Sequence, residues 1–171
     1  VTATFPARFC LVLTACPCPC TAAGQPPGEC SCTPAARRRY LARLSGPLTG
    51  AVDLKARMTP PRPGQRPGRG EPSRVVLGRV TAARERAARR LEGTGWQLNS
   101  QVPLSALRRA FPPAPGGPDL LDDAVRLGTV SERGAGRAAR VAWTIADLAG
   151  RDRPGRGDCA LALAHATGGP P

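Results

Sequence analysis

The chain has 171 residues and a mass of 17.8 kDa, which is room for one ordinary core. Twenty Gly and twenty Pro, close to twice their usual share, exclude long uninterrupted elements; with aromatics at 4% and a single Met, any core is built from Ala, Val and Leu. Twenty-five bases against twelve acids give +13, nearly all from Arg because Lys55 is the only Lys, and no apolar run approaches the roughly 20 residues of a bilayer span.

The charge is unevenly placed. Residues 35–72 carry nine bases and two acids and residues 73–110 eight and two, whereas residues 1–34 and 111–171 each balance. Two explanations stand side by side: a GC-rich gene encodes Arg, Ala, Gly and Pro in bulk, or the middle of the chain faces a phosphate-rich partner such as DNA. Without a membrane span the expected location is the cytoplasm. Leu13-Thr14-Ala15-Cys16 has the form of a lipoprotein processing box, but the apolar stretch before it is short and its leading segment holds only Arg8 as a base.

In chain order, Phe9 to Ala15 is a continuous apolar run of strand length, and the segment near residues 8–15 is read as a buried strand. A Cys/Pro/Gly loop follows, holding Cys18-x-Cys20 and, nine residues later, Cys30-x-Cys32. Four thiolates in two pairs can close a tetrahedral zinc site, and a loop of this length can bring the pairs together. Disulfides in an oxidising compartment or inert thiols are the alternatives. Cys10 and Cys159 sit in apolar stretches and read as small core residues.

Thr33-Pro34 is a helix start, with the helix running to about Leu44 and stopped by Ser45-Gly46-Pro47. Val52, Leu54, Ala56 and Met58 alternate with Asp53, Lys55 and Arg57, the period of a half-buried strand over 51–58. Residues 59–72 are a Pro/Gly/Arg linker without periodicity. Ser73 caps a helix to Leu91 with Val76, Val80, Ala83, Ala87 and Leu91 on one stripe, and Arg79, Arg86, Arg89 and Arg90 on a solvated face.

Three further helices are predicted: Leu104 to Phe111, Asp119 to Leu127, and about Ser131 to Ala149. The last of these has Ala138, Val141, Ala142, Ile145 and Leu148 as its buried stripe and Trp143 to one side. A final one runs from about Arg156 to Ala166, with Asp158 near its positive end. The fold class is thus mainly α with a remnant of α/β: two strands and a Cys-rich loop in residues 1–58, a linker over 59–72, and a helical bundle over 73–171.

No Gly-rich loop ending in Lys-Ser or Lys-Thr occurs, so no P-loop can be drawn within these residues. His165 is the only His and reads as an ordinary residue, and Asp122 and Asp123 as helix decoration. No complete active site emerges from residue chemistry alone.

Several stretches together resemble one family. Phe5-Pro6-Ala7-Arg8-Phe9 running into Leu11-Val12-Leu13 and Pro17-Cys18-Pro19-Cys20 comes first. Cys30-Ser31-Cys32-Thr33-Pro34 follows, then Arg39-Tyr40-Leu41-Ala42-Arg43-Leu44-Ser45-Gly46-Pro47-Leu48. Beyond these lie Ala82 to Ala87, Leu98-Asn99, Ser131-Glu132-Arg133-Gly134, and Arg140 to Gly150. In this order they resemble the C-terminal part of magnesium-chelatase-like AAA+ ATPases of the YifB/ComM competence group.

The resemblance implies truncated AAA+ core strands followed by a helical lid. It implies ATP and Mg as ligands of the intact assembly, and an AAA+ core partner or a homo-oligomeric ring. It also implies Arg133 as the lid arginine that reaches nucleotide phosphates, and DNA remodelling by full-length relatives. At two positions the chain departs from the family pattern. Cys16 stands where the family has Asn, and Thr49-Gly50-Ala51 where it has Leu-Asp-Arg, so the resemblance implies a chain that is catalytically silent alone.

Overall fold

The computed structural model describes residues 3, 10–16, 18–22, 24, 30–44, 46–58 and 70–168. Arg8 and Phe9 of the first expected strand and residues 59–69 of the expected linker lie outside the described residues. Two compact units divide the chain, Val1–Thr49 and Gly50–Pro171.

The described elements are α1 (Pro19–Ala22), α2 (Pro34–Leu41), α3 (Gly46–Ala51), α4 (Ser73–Leu91), a 3-10 turn (Asn99–Gln101), α5 (Leu104–Ala110), α6 (Gly117–Arg126), α7 (Glu132–Leu148) and α8 (Arg156–Thr167). The architecture is mainly α, as expected. The α/β remnant is not seen, for no strand occurs among the described residues.

The reason is clearest at 51–58. Ala51 ends α3, and the backbone N–H of Lys55 donates to the His165 carbonyl at 2.9 Å while its Nζ donates to the Ala166 carbonyl at 2.9 Å. The segment's hydrogen bonds go to the open carbonyls at the end of a helix, where a cation also opposes the negative end of the dipole, and not to a ladder. Residues 10–16 have no regular structure, with Leu11, Val12 and Leu13 exposed.

In Val1–Thr49, α2 begins where Thr33 Oγ1 accepts from the Ala36 N–H at 3.2 Å and Pro34 fills the first turn, and it stops at Leu41, short of the expected Leu44. No residue of α2 is buried; among the described residues of this unit only Cys18 is. The expected core role of Cys10 does not hold, because that residue is exposed.

Gly50–Pro171 is organised around α7. Ser131 caps it through Oγ, which accepts from the Gly134 N–H at 3.2 Å, and Gly150 (φ +73°) follows its end in the left-handed region that glycine adopts without strain. Ala135, Ala138, Ala139, Ala142 and Ala146 are buried on it, so α4, α5, α6 and α8 pack close on several sides. That wide burial corrects the reading of Trp143. It is 3% exposed, with Nε1 donating to the Phe111 carbonyl at 3.1 Å and its ring edge-on to Phe111. Leu91, Val102, Leu107, Leu121, Cys159 and Ala162 complete the core.

The stripe foreseen on α4 is buried at Ala83, Ala87 and Leu91, but Val76 is exposed, and Pro72 rather than Ser73 occupies the cap position. Gly117 opens α6 where a Cβ would come within 2.9 Å of Pro113 Cβ and 3.1 Å of Cys159 Sγ, so only glycine fits.

The arginines of α4 are not all solvated. Arg90 holds Asp147 with two hydrogen bonds, 2.6 Å to Oδ1 and 2.8 Å to Oδ2, and its Cζ lies 4.0 Å from the centroid of the Trp143 ring. Asn99 accepts from Arg90 at 2.7 Å and donates to Asp147 Oδ2 at 3.0 Å, and Arg86 donates to the Asp147 carbonyl at 2.9 Å. Asp147 is 2% exposed, so this is a buried, fully hydrogen-bonded carboxylate.

Two measurements check this packing. Asp147→Ala leaves the Arg90 guanidinium desolvated without its acid and is expected to cost about 3–5 kcal/mol in urea unfolding followed by tryptophan fluorescence; a loss under about 1 kcal/mol contradicts the clamp. Burial, and then the charge of Asp158, push the Cys159 thiol up from an ordinary value near 9 to about 11. At pH 8 its thiolate fraction is therefore about a hundredfold below that of an ordinary thiol, and Cys159 is expected to resist alkylation until the chain is unfolded, as read by peptide mass spectrometry.

Candidate functional site

Arg133 stands in the first turn of α7, directly after the Ser131 cap and Glu132. It is exposed and lines a cleft of about 410 Å³ together with Asp53, Leu104, Glu132, Gly136, Arg137 and Arg140. Arg133, Arg137 and Arg140 are spaced i, i+4 and i+7, which places all three on one face of the helix. Three guanidiniums against two carboxylates leave the cleft cationic, suited to a phosphate or another anion.

The three do different work. Arg140 Nε donates to the Val102 carbonyl at 2.7 Å, strapping the turn before α5 to α7. Arg137 Nε lies 3.7 Å from Asp53 Oδ1, and that nitrogen is buried with no hydrogen-bond partner. Arg133 is left exposed at the helix start. Arg137, Arg140 and Asp53 were not foreseen as site residues. The arginine spacing was open to a helical reading, but nothing in the sequence pointed Asp53 toward α7.

A second cationic cleft of about 240 Å³ is lined by Arg86, Arg89, Arg90, Asp147, Arg151 and Asp152. Its charge is largely answered internally: Arg86 and Arg90 bind Asp147, and Arg151 pairs with Asp158. His165 faces the Lys55 carbonyl through Nδ1 at 3.5 Å, an ordinary structural position. Asp122 pairs with Arg108 and Asp123 with Arg126 on the exposed side of α6, as helix decoration.

In the other unit, Cys18, Cys20, Cys30 and Cys32 present their sulfurs within 4.8 Å of one another. Cys18 precedes α1, Cys20 lies in it, and Cys30 and Cys32 lead into the Thr33 cap of α2. Cys18 Sγ is 3.1 Å from Cys20 Sγ and 3.5 Å from Cys30 Sγ, and none of the four cysteines is in a disulfide. The hydrogen bond with Cys18, then burial and the neighbouring Cys30 and Cys32, push the Cys20 thiol up to about 12. Cys16 is half-buried outside this cluster.

No helix among the described residues is long and apolar enough to cross a membrane. Residues 70–165 match the family described as magnesium chelatase, subunit ChlI C-terminal, and residues 1–65 match magnesium chelatase, subunit ChlI. The chain is 46% identical over 162 residues to the uncharacterized protein Rv2897c of Mycobacterium tuberculosis, covering 94% of this chain and 32% of the relative. It is 37% identical over 150 residues to YifB of Salmonella typhimurium and 36% identical over the same length to YifB of Escherichia coli, covering 85% of this chain and 28% of each relative. No solved structure matches it. The chain spans about a third of the length of these relatives and corresponds to a C-terminal part of such a protein. With more than half its length inside the C-terminal module and the rest matching the segment before it, the chain belongs to the magnesium chelatase, subunit ChlI, family of proteins.

Proposed function

We propose that the helical unit is the lid of a cytoplasmic AAA+ ATPase and that Arg133 supplies its contact to the phosphates of Mg-bound ATP. The observation that carries this reading is the exposed arginine at the capped start of α7, lining a cationic cleft. A lid arginine acts by placing fixed positive charge where negative charge develops on the transferring phosphoryl group, and a guanidinium does so without losing its proton. The core that binds the rest of the nucleotide comes from another part of the protein or from a neighbour in a ring, because these residues contain no P-loop. The chain alone is silent: Cys16 replaces the amide that orients the attacking water, and Thr49-Gly50-Ala51, at the end of α3, replaces the segment with the trans-acting arginine.

Arg74, Arg84 and Arg89 are exposed along α4, which favours a second role on DNA, in keeping with motor activity of the whole protein. Contact through several phosphates releases counterions and makes affinity fall steeply with salt.

Two experiments test these readings. The purified chain is expected to hydrolyse no ATP above buffer. In a chimera where only residues 70–165 replace the matching C-terminal module of Rv2897c, so that Cys16 and Thr49-Gly50-Ala51 are not carried over, Arg133→Ala is expected to lower turnover roughly a hundredfold. Robust hydrolysis by the chain alone, or an unaffected chimera, overturns the lid reading. For the second role, duplex DNA binding measured by anisotropy should weaken steeply as salt rises from about 50 to 200 mM; a flat, absent signal removes it.

A further inference from the structure

The lid reading leaves the four cysteines without a role. It also leaves unexplained what holds the unit Val1–Thr49 together. Leu41, Leu44 and Leu48 are 45%, 38% and 41% exposed, α2 buries nothing, and the one buried residue described in the unit is a thiol. The apolar burial among the described residues is too slight to order such a segment. What converges instead is sulfur, from one Cys-x-Cys pair at the start of α1 and another leading into α2.

We propose that Cys18, Cys20, Cys30 and Cys32 bind one zinc(II) ion as a closed tetrathiolate, and that this ion ties α1 to the start of α2. A zinc–sulfur bond of about 2.3 Å sets the edge of a sulfur tetrahedron at about 3.8 Å. The separations of 3.1 and 3.5 Å, with all four sulfurs within 4.8 Å, are on that scale. They are well beyond the roughly 2.05 Å of a disulfide. They are also too close for an iron–sulfur cluster, whose cysteines ligate different iron atoms.

Binding replaces four S–H protons by one metal ion, so four protons leave to solvent and the site carries two net negative charges. With four protein ligands no coordination position is left for water or substrate, which makes the site structural and not catalytic. The proposal stands whether or not Arg133 touches ATP, because the cysteines lie in the other unit.

The test uses the full 171-residue chain purified under a thiol reductant. Elemental analysis is expected to give about one zinc per chain and no iron or copper. Cobalt substitution should give the intense visible absorption of tetrahedral Co(II) tetrathiolate. Cys30→Ser with Cys32→Ser is expected to reduce zinc to under about a tenth of an equivalent, while Cys16→Ser retains it in full. Chelation should accelerate tryptic cleavage after Arg37, Arg38, Arg39 and Arg43 at least about tenfold. Trp96 and Trp143 both lie in Gly50–Pro171, so unchanged tryptophan fluorescence verifies that the double variant remains folded there. A metal-free chain, iron in place of zinc, zinc retained by the double variant, or a mass two hydrogens low for each bridge among these cysteines overturns the proposal.

Discussion

The Arg90–Asp147 pair is the constraint on which the helical unit depends. It joins α4 to α7 across 57 positions of sequence, and Asn99 closes the triangle from the 3-10 turn. An ion pair taken from water costs several kcal/mol per charge, and only a complete set of partners offsets that. Both carboxylate oxygens are engaged here, and the guanidinium adds its face to Trp143. Because the core is mostly alanine, which contributes little area, geometry imposed by this network matters more than it would in a leucine-rich bundle. The Leu98-Asn99 and Thr144-Ile145-Ala146-Asp147 stretches that carry the family resemblance therefore include the residues that close the bundle.

The two units solve the same problem by different means. Gly50–Pro171 has a buried aromatic, a satisfied ion pair and helix ends closed by Ser131, Gly150 and Lys55. Val1–Thr49 has Thr33 as a helix cap and a cluster of sulfurs, with its leucines facing water. Structural zinc sites contribute about 10–16 kcal/mol of apparent binding energy at neutral pH, comparable to the whole stability of a small domain. A segment with so little apolar burial among its described residues can be ordered by such a site.

The start of α2 and the helices from α4 onward were legible because their signals are local, whereas α1, in the expected Cys/Pro/Gly loop, and α3, at the expected Ser45-Gly46-Pro47 stop, were not foreseen. Thr33-Pro34 and Ser131 announce starts, Gly128 and Gly150 follow ends, and the apolar spacing of α4 and α7 is helical. The two Cys-x-Cys pairs were likewise legible, since a loop of that length constrains where its ends can meet. The alternation over 51–58 misled for a physical reason: period two reports which residues point the same way, but not which acceptor the backbone finds. Here the acceptor is the end of α8, more than a hundred residues away. The clamp and the place of Asp53 beside Arg137 were illegible for the same cause, because each needs the tertiary fold before the partners exist.

Arginine content itself changes meaning once partners are known. A charge of +13 read from composition invites a nucleic-acid footprint, yet Arg86, Arg90 and Arg140 are tied to carbonyls and to Asp147 inside the bundle. Arg79, Arg108, Arg126 and Arg151 are paired with carboxylates. A guanidinium that straps a carbonyl still carries its charge, but its position is set by the fold, so it adds to the field from a fixed place. The cations that can reach outward are therefore fewer than the composition suggests. Among the described residues of this unit they include Arg133 beside its cleft, Arg74, Arg84 and Arg89 along α4, and Arg57 and Arg153. The proposed phosphate contact at Arg133 therefore rests on a position, the capped start of α7 beside a cleft, and not on the basic composition as a whole.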